Sequence, residues 1–158
     1  MELLVFLPVL LFSVVAHEVA HAQVAKWEGD ETAYRLGRIT LNPLPHLDLV
    51  GSFLVPLLLF FLPGDFLFGW AKPVPVNPAN FRDRRWGDIR VSLAGIAVNL
   101  ALALASVVLT AGLMLAQPLV GTMGGAYQVL VELLFYGLFI NLILAFFNLL
   151  PIPPLDGS

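Results

Sequence analysis

The chain has 158 residues, 59% of them hydrophobic and 12% charged, and its mean hydropathy is +0.88. Soluble domains carry about 25% charged residues, so this composition points to an integral membrane protein. There is no cysteine, which excludes disulfides, thiolate nucleophiles and cysteine-ligated metal, and a net charge of -3 gives no reason to expect nucleic acid as a partner.

In chain order, residues 3–25 form the first apolar run, long enough as a helix to cross about 30 Å of hydrocarbon. Pro8 lies inside it and is expected to kink it locally. No Lys or Arg precedes Lys26, so the run lacks the basic start of a signal peptide. Cleavage after Ala22 would discard two histidines, and the segment is expected to be retained. Residues 26–48 are polar and mixed in charge. Within them, residues 35–41 alternate enough to suggest a short strand, closed by Asn42-Pro43. Residues 50–62 are apolar but short, broken by Gly51 and Pro56, and read as a re-entrant or short tilted segment.

Residues 65–90 are again polar. Lys72-Pro-Val-Pro-Val-Asn-Pro78 is expected to be extended, because its three prolines oppose a helix. Residues 82–86 combine three arginines with Trp86, a composition suited to a headgroup boundary. Residues 91–116 form a second long span, rich in small residues that allow close helix packing. An uncharged, glycine-rich loop is expected over 117–127, and a third long span over 128–150. The fold class is therefore an α-helical integral membrane protein. It has about three full spans, a short re-entrant or tilted apolar segment and a small membrane-associated β element, in a single domain covering 1–158.

All eight Lys and Arg lie between Lys26 and Arg90. The positive-inside rule then places both polar segments in the cytoplasm and the N-terminus outside, in a multi-pass protein of the cell membrane. On that topology the cytoplasmic end of the first span and the region just past the third span lie at one depth.

His17-Glu18-Val19-Ala20-His21 lies within the first apolar run. Residues four apart share one helix face, so His17 and His21 can reach one metal ion, while Glu18 on the flank can take a proton from a water activated there. Ionisable residues inside a span are costly, and snorkelling to headgroups is the plain alternative to function. A catalytic zinc site needs three protein ligands and an open position. The third could come from His46, Asp48, Asp65, Asp83, Asp88, Glu132 or Asp156. Asp156 is favoured by its stiff approach through Pro151, Pro153 and Pro154, with Gly157 after it. His46, behind Pro43 and Pro45, is the rival. Asn99 and Asn148 sit in apolar helices, either as bonds between helices or as substrate contacts. Glu132 reads as a carboxylate at a wet helix end, and the arginines of 82–86 read as a topology anchor.

These motifs carry a resemblance. His17-Glu-Val-Ala-His21, Ala94-Gly95-Ile-Ala-Val-Asn99 and Asn148-Leu-Leu-Pro-Ile-Pro-Pro-Leu-Asp156-Gly157 are similar to those of the site-2 protease family of intramembrane zinc metalloproteases. Gly37-Arg38-Ile-Thr-Leu-Asn-Pro43, His46-Leu-Asp48 and Gly69-Trp-Ala-Lys-Pro-Val-Pro75 resemble its compact prokaryotic branch, which lacks a PDZ domain. The resemblance implies one zinc ion per chain held by His17, His21 and Asp156, with Glu18 as general base. It implies Asn148 beside the substrate or the developing oxyanion, with His46 a further candidate for substrate contact. The implied substrate is a transmembrane protein cut in or near its membrane segment, with the lipid bilayer as the second partner and homo-oligomerisation left open. Family members usually continue with further spans after Asp-Gly, so a C-terminally truncated domain is expected. The alternative to a protease is a membrane protein that binds zinc to transport or sense it.

Overall fold

The computed structural model describes residues 2–55, 58, 61, 71–120, 125–152 and 156. Three of its helices are long and apolar enough to cross a membrane: α1 (Glu2–Glu28), α3 (Arg84–Val120) and α4 (Gly125–Asn148). A single helical turn, α2 (Thr32–Arg35), follows α1. At a rise of 1.5 Å per residue, α1 is about 40 Å long and α3 about 55 Å, more than the roughly 30 Å of hydrocarbon. Their charged ends, Glu28 on α1 and Arg84 to Arg90 on α3, therefore project beyond an apolar slab.

The three long helices pack on one another, and each turns large apolar side chains outward. Phe135, Phe139 and Phe146 on α4 and Leu104, Val108 and Leu115 on α3 are all exposed. Helices that turn such apolar side chains outward have the pattern of helices that face lipid. The interior of the bundle is instead partly polar. Ser13, His17, His21, Asn99, Ser106 and Asn141 are buried among small residues such as Ala16, Ala22 and Ala103. His21 meets Val91 while His17 meets Gly95, so α1 and α3 run antiparallel. Phe6 stacks edge-on against Tyr136 and Ser13 bonds to Asn141, so α1 and α4 run parallel.

α1 ends where Asp30 N–H donates to the Ala25 carbonyl and Gly29 N–H to that of Lys26, the paired bonds of a Schellman closure. Past this cap, Asp30 is fully buried and gathers the polar connections. Its carboxylate accepts from Thr32 N–H at 3.2 Å, Thr32 Oγ1 at 2.5 Å, Asn77 N–H at 2.7 Å and Asn80 Nδ2 at 2.8 Å. Burial alone would raise the Asp30 carboxyl, but these donors outweigh it and hold it below the usual carboxylate range. Residues 72–77 are extended, as their prolines require, and Val74 packs on Ala22 of α1 and Ala33 of α2.

Two expectations change. No strand occurs among the described residues, and the β element expected over 35–41 is instead the end of α2 and a turn. Gly37 has φ +67°, a left-handed conformation that stops α2 and breaks any extended run. The helices also overrun the expected loop at 117–127: α3 continues to Val120 and α4 begins at Gly125. The apolar segment 50–62 opens as a π-helical turn, Leu49–Leu54, capped by the Asp48 carboxylate, which accepts from Val50 and Gly51 N–H. Most of residues 56–62 lies outside the described residues.

Candidate metal centre

The chemistry converges where the second half of α1, the first half of α3 and the chain beyond α4 meet. His17 and His21, one turn apart on α1, bring their Nε2 atoms to 3.0 Å of each other. Asp156 Oδ2 lies 2.8 Å from His17 Nε2 and 3.1 Å from His21 Nε2. One donor atom from each residue falls within 4.8 Å of the others, which suits a single cation. Both histidines are buried and Asp156 is half-buried. Burial would raise the Asp156 carboxyl, but the two imidazoles beside it prevail and hold it well below the usual carboxylate range.

Two features of α3 fit these residues to a metal. His21 Nδ1 lies 2.7 Å from the Val91 carbonyl, which can only accept, so Nδ1 carries the proton and Nε2 presents its lone pair. Facing both imidazoles is Gly95. A Cβ built there would come within 2.5 Å of His17 Nε2 and of His21 Nε2. The hydrogen of glycine thus preserves the space into which the two nitrogens converge. Two imidazoles and one carboxylate form a donor set that zinc takes in hydrolytic sites, and the residues present fit the ion.

Glu18 stands beside this group, half-buried. Its Oε2 accepts from the Val74 N–H at 2.8 Å, which ties the carboxylate to the extended segment 72–77 and leaves its other oxygen for chemistry. That segment is held at both ends. Arg38 donates to the Lys72 carbonyl at 2.7 Å, Lys72 N–H donates to the His46 carbonyl at 2.9 Å, and Asp30 holds Asn77.

His46 is elsewhere. It is buried, its Nε2 lies 3.0 Å from the Thr40 carbonyl, and it braces the loop that carries Lys72. Of the two candidates for a third ligand, Asp156 is the one beside the histidines. Asn148 closes α4 and turns its amide back to the Leu144 carbonyl at 3.0 Å. In the sequence Gly95 stands out only as a small residue of a span and as part of a family-like motif, and the Val91 carbonyl, the Val74 N–H and Asp30 do not stand out.

The fold and site together define a class: a bundle of membrane-length helices that buries a His-His-Asp cluster beside a glutamate. The chain is similar to "Putative zinc metalloprotease YwhC" of Bacillus subtilis (strain 168), at 42% identity over 150 residues, or 94% of this chain. Those residues span 63% of the relative's own length. No family model and no solved structure matches the chain.

Proposed function

We propose that this chain forms the core of an intramembrane zinc metalloprotease of the site-2 type. It would hydrolyse a peptide bond in or beside a transmembrane segment of a membrane-protein substrate. The observation that carries this reading is the convergence of His17 Nε2, His21 Nε2 and Asp156 Oδ2 in front of Gly95, one residue from a carboxylate. The similarity to a protein described as a zinc metalloprotease supports it.

His17, His21 and Asp156 would hold the ion. Zinc in such a site acts as a Lewis acid, polarising a carbonyl and bringing the pKa of water toward 7. Glu18 accepts the proton of the attacking water and returns it to the leaving amine. Its bond to Val74 N–H fixes one oxygen and aims the other, so the base does not rotate away between the two transfers. A helical substrate hides its carbonyls in hydrogen bonds and has to unwind before attack. The extended backbone beside Glu18 favours a locally extended substrate there. The basic residues that flank this end of the bundle support a cytoplasmic orientation for it.

Glu18→Gln tests the mechanism. The variant is expected to bind zinc as the parent does, with cleavage of a membrane-embedded reporter reduced by at least about 10²-fold. Retained cleavage would sink the role of Glu18. Zinc uptake into proteoliposomes without cleavage by the parent chain would point to transport.

A further inference from the structure

Three buried residues at the centre of the bundle have polar atoms with no hydrogen-bond partner among the described residues. They are His17 Nδ1, both amide atoms of Asn99, and Asn141 Oδ1. Asn99 is 0% exposed and Asn141 2%, so neither reaches bulk solvent. A buried amide left unpaired is costly, and native proteins satisfy nearly all such groups.

The helix register places these atoms close together along the bundle. Antiparallel α1 and α3 pair His21 with Val91 and His17 with Gly95. The next step along both helices brings Ser13 level with Asn99. Ser13 in turn bonds to Asn141 of α4 at 2.9 Å. Asn99 and Asn141 therefore lie within about one helical turn of each other, beyond His17 along the bundle.

The polarity of the unpaired atoms matches as well. With Nε2 given to the ion, the neutral His17 ring would carry its proton on Nδ1 and offer a donor. Asn99 offers one acceptor and one donor. Asn141 spends its Nδ2 hydrogens on Ser13 Oγ and the Gly137 carbonyl at 2.7 Å, so its Oδ1 is an acceptor. Two donors and two acceptors thus lie between three helices. A mainly apolar crevice of about 300 Å³ reaches Ser13, Ser106 and Asn141 beside these atoms.

We propose that Asn99 is a positioning residue for the metal centre: its amide links His17 Nδ1–H to Asn141 Oδ1, through bridging water, in one hydrogen-bond chain across α1, α3 and α4. The chain does for His17 what the Val91 carbonyl does for His21. It holds the proton on Nδ1, fixes the plane of the ring and leaves Nε2 free for the ion. Histidine ligands ordinarily give their second nitrogen such a partner, and losing it costs 10–100-fold in metal affinity. The proposal rests on the reading of His17 as a zinc ligand.

The test is zinc affinity, measured by competition with a chromophoric chelator on the full chain in detergent, for the parent, Asn99→Leu and His17→Ala. Leucine keeps the bulk and removes both polar atoms. Asn99→Leu is expected to bind zinc 10–100-fold more weakly while its helical circular dichroism is unchanged. Folded Asn99→Leu with affinity within threefold of the parent overturns the proposal. If instead the parent binds no zinc, or His17→Ala binds as tightly as the parent, the metal reading itself has failed. Nitrogen-15 NMR of the zinc-loaded parent needs no variant. A His17 Nδ1–H that exchanges with solvent as slowly as that of His21 supports the chain, and exchange at the rate of an exposed imidazole overturns it.

Discussion

A Cβ on Gly95 would stand within 2.5 Å of the Nε2 atoms of both His17 and His21, well inside the 3.5–4.0 Å at which nonbonded atoms settle. The backbone of α3 cannot retreat cheaply, because the same turn offers the Val91 carbonyl to His21. A methyl group there has to push both imidazoles away from their common point. Gly95→Ala is therefore expected to weaken zinc binding by about 100-fold or more, at least the loss that follows removal of a ligand's supporting partner. Helix propensity rises by roughly 1 kcal/mol for the same change, so thermal stability in the apo form should not fall in step. Chelator competition and thermal melting of one preparation check both halves. Unchanged zinc affinity would mean that the histidines do not converge on a metal in front of α3. Glu18→Gln should behave in the opposite way, keeping the metal and losing turnover.

The elements that position the site are held by one carboxylate that the chain's patterning does not advertise. Asp30 joins the cap of α1 to α2 and to the end of segment 72–77, and Val74 of that segment holds Glu18. Its folded pKa is lowered, so its stabilising contribution is complete above its ordinary value near pH 4 and fades as pH falls through the lowered value. Asp30→Asn removes one strong acceptor and is expected to cost about 1–3 kcal/mol at neutral pH, with the loss concentrated in segment 72–80. Hydrogen exchange in detergent between pH 3 and 6 should show that segment opening toward acid in the parent. In the variant it should already be open, with little further dependence on pH. A pH response identical in both would remove Asp30 from this role.

The contrast with what the sequence made legible follows from range. The i, i+4 histidines, the three spans and the Pro-stiffened Asp156 are local patterns or strong chemical types. Asp30 reaches 47 and 50 residues along the chain, and Glu18 reaches 56, so neither contact leaves a local period. The strand expected over 35–41 failed for the converse reason. Its alternation was real but short, and the left-handed turn at Gly37 outweighed it.

At the scale of the whole molecule, the charged ends of the helices collect at the end that holds the metal centre. Arg90 of α3 pairs with Glu28 of α1 at 2.8 Å, and Arg82 N–H donates to the Glu28 carbonyl at 2.8 Å. The opposite end, where α3 gives way to α4, carries no Lys or Arg. Basic residues resist translocation, so the two ends should lie on opposite sides of the bilayer with the centre inside. The absence of cysteine makes this directly measurable, since an introduced thiol is the one target within these 158 residues. Arg35, which lies just past the α1 cap, and Ala126, at the start of α4, are both exposed. In intact cells treated with a membrane-impermeant maleimide, Ala126→Cys should be labelled and Arg35→Cys should not. Arg35→Cys should react only after the cells are opened. The reverse pattern would invert the topology, and with it the side from which water reaches Glu18.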